Sequence, residues 1–147
     1  MKQSYALDTG VVLNLVRGKE LGTRIDREFG LTRSMRLHTV SIVTHGELKV
    51  LADRNEWGAE KRGVLAIALD NLVTLNIESE ALVDAYVEVD RACRTAIGGG
   101  RVLGQNDMWI AATALLSGLP LITTDRDFLP LHERLITVHW IDSDMGD

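Results

Sequence analysis

An α/β fold with a mainly parallel sheet is what this sequence predicts, and two observations predict it. Short apolar runs of strand length alternate along the chain with stretches of helical periodicity. Acidic residues recur close to the ends of those apolar runs, beside the carboxyl edge where an open parallel sheet takes its ligands.

Taken in order, Tyr5–Leu7 reads as a short strand, and Gly10–Arg17 as a helical turn or two with Val11, Val12 and Leu15 on one side. The polar, charged stretch from Gly18 to Arg36 has room for another helix, and Leu37–Ser41 is the second strand. Gly46–Asn55 carries Leu48, Leu51 and Ala52 at helical spacing, and Gly58–Asn71 does likewise with Val64, Ile67, Ala68 and Asn71 along one face. Leu72–Ile77 alternates as a strand. Glu78–Ile97 is the longest helix, with Leu82, Tyr86, Val89, Cys93 and Ile97 three or four apart. Gly98-Gly99-Gly100 marks a loop after it. Asn106–Leu116 is a further helix, Leu119–Thr124 a buried-type strand, and Val138–Ile141 a last short strand.

No repeat, low-complexity tract or proline-rich linker divides the chain, so residues 1–147 are expected to form one domain. A hydrophobic share of 46% is enough for one packed core. The formal net charge of −5 argues against a protein that wraps duplex DNA with a basic face. A lone cysteine, Cys93, excludes an internal disulfide framework and a cysteine-built zinc site. The opening residues lack the apolar core of a signal peptide, and no apolar run approaches the roughly 20 residues that span a bilayer. The expectation is a soluble, cytoplasmic protein without a membrane partner.

Four acids carry the chemistry, and each also has a purely local reading. Asp8 directly follows the first strand and is a natural N-cap for the helix after it. Glu47 closes Thr44-His45-Gly46-Glu47, which spells a capping box with Thr44 at the N-cap. Asp107 sits behind Asn106, itself a good N-cap, and complements the positive end of the helix dipole. Asp125 follows the Leu121-Ile122-Thr123-Thr124 strand in a turn that also holds Asp127.

Their conjunction is harder to explain by stability. At a separation of about 5 Å and an effective dielectric of about 20, two ionised carboxylates repel by about 3 kcal/mol. Such a cluster needs divalent cations or retained protons. Hard oxygen ligands point to Mg²⁺ or Mn²⁺, and the chemistry such a site suits is phosphodiester hydrolysis.

At these residues the sequence resembles the PIN-domain family, and more narrowly its VapC-type toxin ribonucleases. The matching stretches are Ala6–Leu13, Ser41–Leu48, Gln105–Ala114 and Leu121–Phe128, in the family's order and over almost the whole chain. The run Asn106-Asp107-Met108-Trp109-Ile110-Ala111-Ala112 is the most specific, since it goes well beyond helix capping. The resemblance implies a PIN-like three-layer α/β/α fold with a mainly parallel central sheet. It also implies Mg²⁺- or Mn²⁺-dependent endoribonuclease activity, with Asp8, Glu47, Asp107 and Asp125 as catalytic and metal-holding acids. Asp127 is the second choice for the fourth acid, and Thr9 and Thr124 match hydroxyl positions near the site. An RNA substrate, a cognate antitoxin and a homodimer are the implied partners.

Other residues give weaker signals. His38, His45, His132 and His139 have no metal-binding spacing; His45 lies near Glu47, but packing or surface roles suit all four better. Trp57, Trp109 and Trp140 fit core or interface packing better than base stacking. Arg91, Arg94, Arg101 and Arg126 are candidate phosphate contacts. Asp8-Thr9-Gly10 also spells the aspartic-protease signature, but that class is all-β and the helical periodicity opposes it. A phosphoryl acceptor at Asp8 would want a second acid at position 10, where Gly10 stands. The remaining alternative is a non-catalytic PIN module that binds RNA or a protein.

Overall fold

Alternation of strand and helix puts helices on both faces of the sheet, and the computed structural model, which describes residues 3–95 and 103–145, has that three-layer form. Ile97, the Gly98-Gly99-Gly100 loop and Arg101 lie outside the described residues. The strands are β1 (Ala6–Leu7), β2 (Thr39–Ser41), β3 (Val73–Leu75), β4 (Leu121–Thr123) and β5 (Val138–Trp140). The helices are α1 (Thr9–Arg17), α2 (Glu20–Phe29), α3 (Ile42–Arg54), α4 (Ala59–Asn71), α5 (Glu80–Arg94) and α6 (Gln105–Ser117). Among the described residues no helix is long and apolar enough to cross a membrane.

The strands pair in the order β3-β2-β1-β4-β5, every pair parallel. The chain builds outward from β1 on one side and returns to its other side with β4, so the switch in strand order falls between β1 and β4. At such a point the crossovers part and leave a crevice at the carboxyl ends of the strands.

Period-two alternation assigns the strand residues to the two layers. Ala6, paired with Leu121, packs with α5 and α6; Leu7, paired with Ile122, packs with the α1–α4 layer. Helix α6 is buried at Met108 and from Ile110 through Ala114, as the small side chains of Ala111, Ala112 and Ala114 allow. Tyr86 and Trp109, with ring centroids 4.2 Å apart, join α5 to α6. Trp57 is buried in the opposite layer, with Lys61 over its ring.

Three expectations from the sequence are corrected. Helix α3 starts four residues before Gly46: Ser41 is its N-cap, accepting the Val43 N–H at 3.1 Å, so Thr44 and Glu47 lie inside the helix and form no capping box. Strand β2 passes into α3 without a loop, and β-branched Ile42 and Val43 hide that junction because such side chains favour strand over helix. Helix α6 is capped by Gly104 rather than Asn106. Helix α4 buries Leu65 and Leu69, whereas Val64 and Ile67 are exposed at 46% and 65%. That helix is apolar on both sides, and its packing against α1, not its periodicity, selects the inner face. The Gly18–Arg36 stretch holds α2 and most of a short 3-10 segment, Thr32–Leu37, whose kink falls at Ser34.

Candidate active site

The β1–β4 register continues one step beyond the strands: after Ala6–Leu121 and Leu7–Ile122, Asp8 comes beside Thr123 on the same face. The Thr123 hydroxyl donates to Asp8 Oδ2 at 2.6 Å and accepts the Asp125 N–H at 2.9 Å. The Thr9 N–H donates to Asp8 Oδ1 at 2.7 Å, so Asp8 caps α1 as its local reading expects. Both carboxylate oxygens are thus held, and the residue is only 6% exposed. Burial pushes its carboxyl up to about 6, against the lowering effect of the two hydrogen bonds, with Asp125 and Glu47 adding negative charge.

Glu47 comes to the same place from α3. The Thr9 hydroxyl donates to Glu47 Oε1 at 2.6 Å, and the Thr44 hydroxyl lies 2.9 Å from that of Thr9. Since Thr9 has one proton and spends it on Glu47, Thr44 supplies the proton of the second bond. Thr44 is fully buried.

Asp107 stands in the first turn of α6, half-buried. Burial pushes its carboxyl up to about 7, and the charges of Asp8, Asp125, Glu47 and Asp127 push in the same direction. Among the described residues it accepts no hydrogen bond that would offset them. Asp125 caps the 3-10 turn Arg126–Leu131 by accepting the Asp127 N–H at 2.8 Å. Its charge acts on both Asp8 and Asp107, whereas that of Asp127 acts on Asp107.

All five acids singled out in the sequence therefore share one electrostatic field at the carboxyl edge of β1 and β4. Among the described residues, no three His, Cys, Asp or Glu side chains form a ready-made metal cage. Asp8, Glu47 and Asp125 are instead held by hydroxyls and backbone N–H groups. Thr124, expected near the site, faces Gly10: a Cβ on Gly10 would come within 2.8 Å of its hydroxyl.

Two residues that sequence reasoning missed are Thr123 and Thr44. Strand parity could have found the first, because only Thr123 shares the face of Asp8 once β1 and β4 are paired. His45 turns away from Glu47 and bonds Thr74 of β3 at 2.8 Å.

The chain matches the PIN domain family over residues 5–131. It is a PIN-domain protein. No curated protein matches this PIN domain significantly. Among solved structures it is similar to VapBC2 from Rickettsia felis bound to a DNA fragment from their promoter, with TM-score 0.70, 19% identity, and 95% of this chain and 100% of that chain covered. It is also similar to VapBC-1 from nontypeable Haemophilus influenzae, with TM-score 0.68, 20% identity and coverage of 94% and 98%. A toxin–antitoxin complex from Klebsiella pneumoniae has TM-score 0.65, 23% identity and coverage of 93% and 99%.

Proposed function

We propose that this PIN domain is a divalent-metal-dependent endoribonuclease and the toxin of a toxin–antitoxin pair. The observation that carries the reading is the convergence of negative charge on Asp107, which no hydrogen bond relieves among the described residues and which a cation would. The toxin–antitoxin complexes of like fold support the partner assignment.

The donor set fits a hard cation, since every candidate ligand offers oxygen and none offers sulfur or imidazole. Asp8, Asp107 and Asp125, with Glu47, would hold Mg²⁺ or Mn²⁺. When bound, the metal supplies positive charge at the phosphate and an activated water at neutral pH.

The chain's own residues do the rest. Thr123 and the Thr9 N–H fix Asp8 and partly offset the burial that favours its protonated form. Thr9 occupies Glu47 Oε1 and leaves Oε2 to take the proton of the attacking water. Products would be a 5′-phosphate and a 3′-hydroxyl. A cognate antitoxin covering the acids and a homodimer complete the proposal.

The test is cleavage of a mixed RNA pool by antitoxin-free protein with Mg²⁺ or Mn²⁺, against EDTA and an Asp8→Asn/Asp107→Asn control. Metal-dependent cutting that the control lacks is the expected result. Folded protein that cuts no RNA with either metal would overturn the reading in favour of a non-catalytic binding module.

A further inference from the structure

Beside the acids a second feature opens, a groove of about 520 Å³ between α3 and the start of α6. Val43, Glu47, Val50, Leu51 and Arg54 line it from one stripe of α3, at the spacing that puts residues on a common helix face. Asn106, the residue before Asp107, closes it from α6. Its volume falls in the range of about 300–1,000 Å³ typical of small-molecule sites.

We infer that this groove seats the nucleobase of the nucleotide next to the cut phosphate, and that Arg54 and Asn106 help to choose the base. The identity of the substrate as RNA rests on the nuclease reading; the groove's place and chemistry do not.

Continuity with the acid site comes first. Glu47 belongs to both features, with its Oε1 bonded to Thr9 on one side and its side chain forming the groove wall on the other. A single strand whose phosphate lies at the acids must place an adjoining nucleoside within one residue's reach of them.

Chemical fit comes second. Val43, Val50 and Leu51 offer apolar surface for a base face, and Val50 is 48% exposed. Arg54 and Asn106 are both exposed, and among the described residues neither side chain makes a hydrogen bond or ion pair. A guanidinium plane stacks on an unstacked base or meets its acceptors as a fork, and an amide presents a donor and an acceptor together to a base edge. The stripe ends in a cation, about 10 Å along the helix from Glu47, on a chain whose net charge is −5. A polyanion is thus guided to this side of the acids.

A protein segment fits less well. Three aliphatic side chains give little area against the roughly 1,200 Å² or more that stable interfaces bury. An apolar peptide seated there would also lie against the Glu47 carboxylate without compensation.

The experiment uses an RNA oligonucleotide with one cut site, intact or with an abasic nucleotide on either side of the cut. Cleavage is read as kcat/KM and, independently of turnover, binding is read by fluorescence anisotropy in Ca²⁺. Removing the base on one side should cost wild-type protein about tenfold or more, in the range that single-base contacts carry. In Arg54→Ala/Asn106→Ala that cost should shrink to about twofold while the cut bond stays the same. Val50→Phe, which fills the groove, should act likewise.

Cutting that ignores the abasic position, or variants that keep the wild-type base preference, would overturn the groove while leaving the nuclease reading standing. Base-dependent binding that the variants lose, in protein that cuts nothing, would uphold the groove and sink the nuclease reading. Loss of both base-dependent binding and cutting from the outset would end both. If Val50→Phe instead changes only the oligomeric state, the groove belongs to a second copy and the inference falls.

Discussion

Burial is the first reason that both Asp8 and Asp107 hold their protons to nearly neutral pH, but hydrogen bonds oppose it at Asp8 while neighbouring acids reinforce it at Asp107, and that difference separates the two sides of the candidate site. Asp8 is walled into the β1–β4 seam with both oxygens hydrogen-bonded, and burial dominates its shift. Asp107 stands half-open at the head of α6, where burial comes first, four acids add their charge to it and no hydrogen bond opposes them among the described residues. One is a fixed post with a hydrogen-bond donor on each oxygen. The other carries a repulsion that a cation in front of it would relieve. A site that must grip a cation in one geometry and still exchange substrate needs both kinds of carboxylate.

The comparison can be tested at four strengths. Asp8→Asn and Asp107→Asn should each lower metal-dependent RNA cleavage by on the order of 10³-fold, as the loss of a charge-stabilising group does; gel assays on a labelled RNA measure it. Stability comes next. The folded protein binds a proton at Asp8 up to about pH 6, whereas the unfolded chain releases it near 3.8. The stabilising contribution is therefore complete below about pH 3.8 and is lost as pH rises through about 6, a difference of about 3 kcal/mol. In EDTA the melting temperature should fall over that window, Asp8→Asn should flatten the fall, and Mg²⁺ should raise the melting temperature more at pH 8 than at pH 5.

Thr123→Val leaves a buried oxygen of Asp8 without its donor. It should cost about 2 kcal/mol in denaturant unfolding, with Thr123→Ser recovering most of it. The smallest effect is the most diagnostic. Raising ionic strength from about 0.05 to about 0.5 M shortens the Debye length to about 4 Å. A carboxyl NMR titration should then show Asp107 moving down by a few tenths of a unit while Asp8 stays nearly in place, because salt screens charges and does not reverse burial.

Much of this was legible in the sequence. Strand-length apolar runs marked the five strands to within a few residues, and an acid soon after an apolar run marked the carboxyl edge at Asp8 and Asp125. What the sequence hid depends on which side chains meet after folding. Thr123 and Thr124 are equivalent as letters, and only the β1–β4 register puts the first beside Asp8 and the second against Gly10. Thr44 looked like a cap because its spacing to Glu47 is right for one. The helix begins earlier because Ser41 takes that role, and a buried threonine so released turns to Thr9. Val64 and Ile67 misled for a third reason: both sides of α4 are apolar, and local pattern carries no information about which one its neighbour covers.

The bond between Thr123 and Asp8 spans 115 positions of sequence. During synthesis, Asp8 leaves the ribosome long before β4 exists. A growing chain that already carries Asp8, Glu47 and Asp107 still lacks the strand that closes the crevice, because β1 has no neighbour on its β4 side. Completion of the acid cluster is thereby deferred until β4 and Asp125 have been made, and a chain stalled before them is born without it. The connectivity of the sheet thus works as a timer that leaves the crevice open on its β4 side until residues 121–123 have been made.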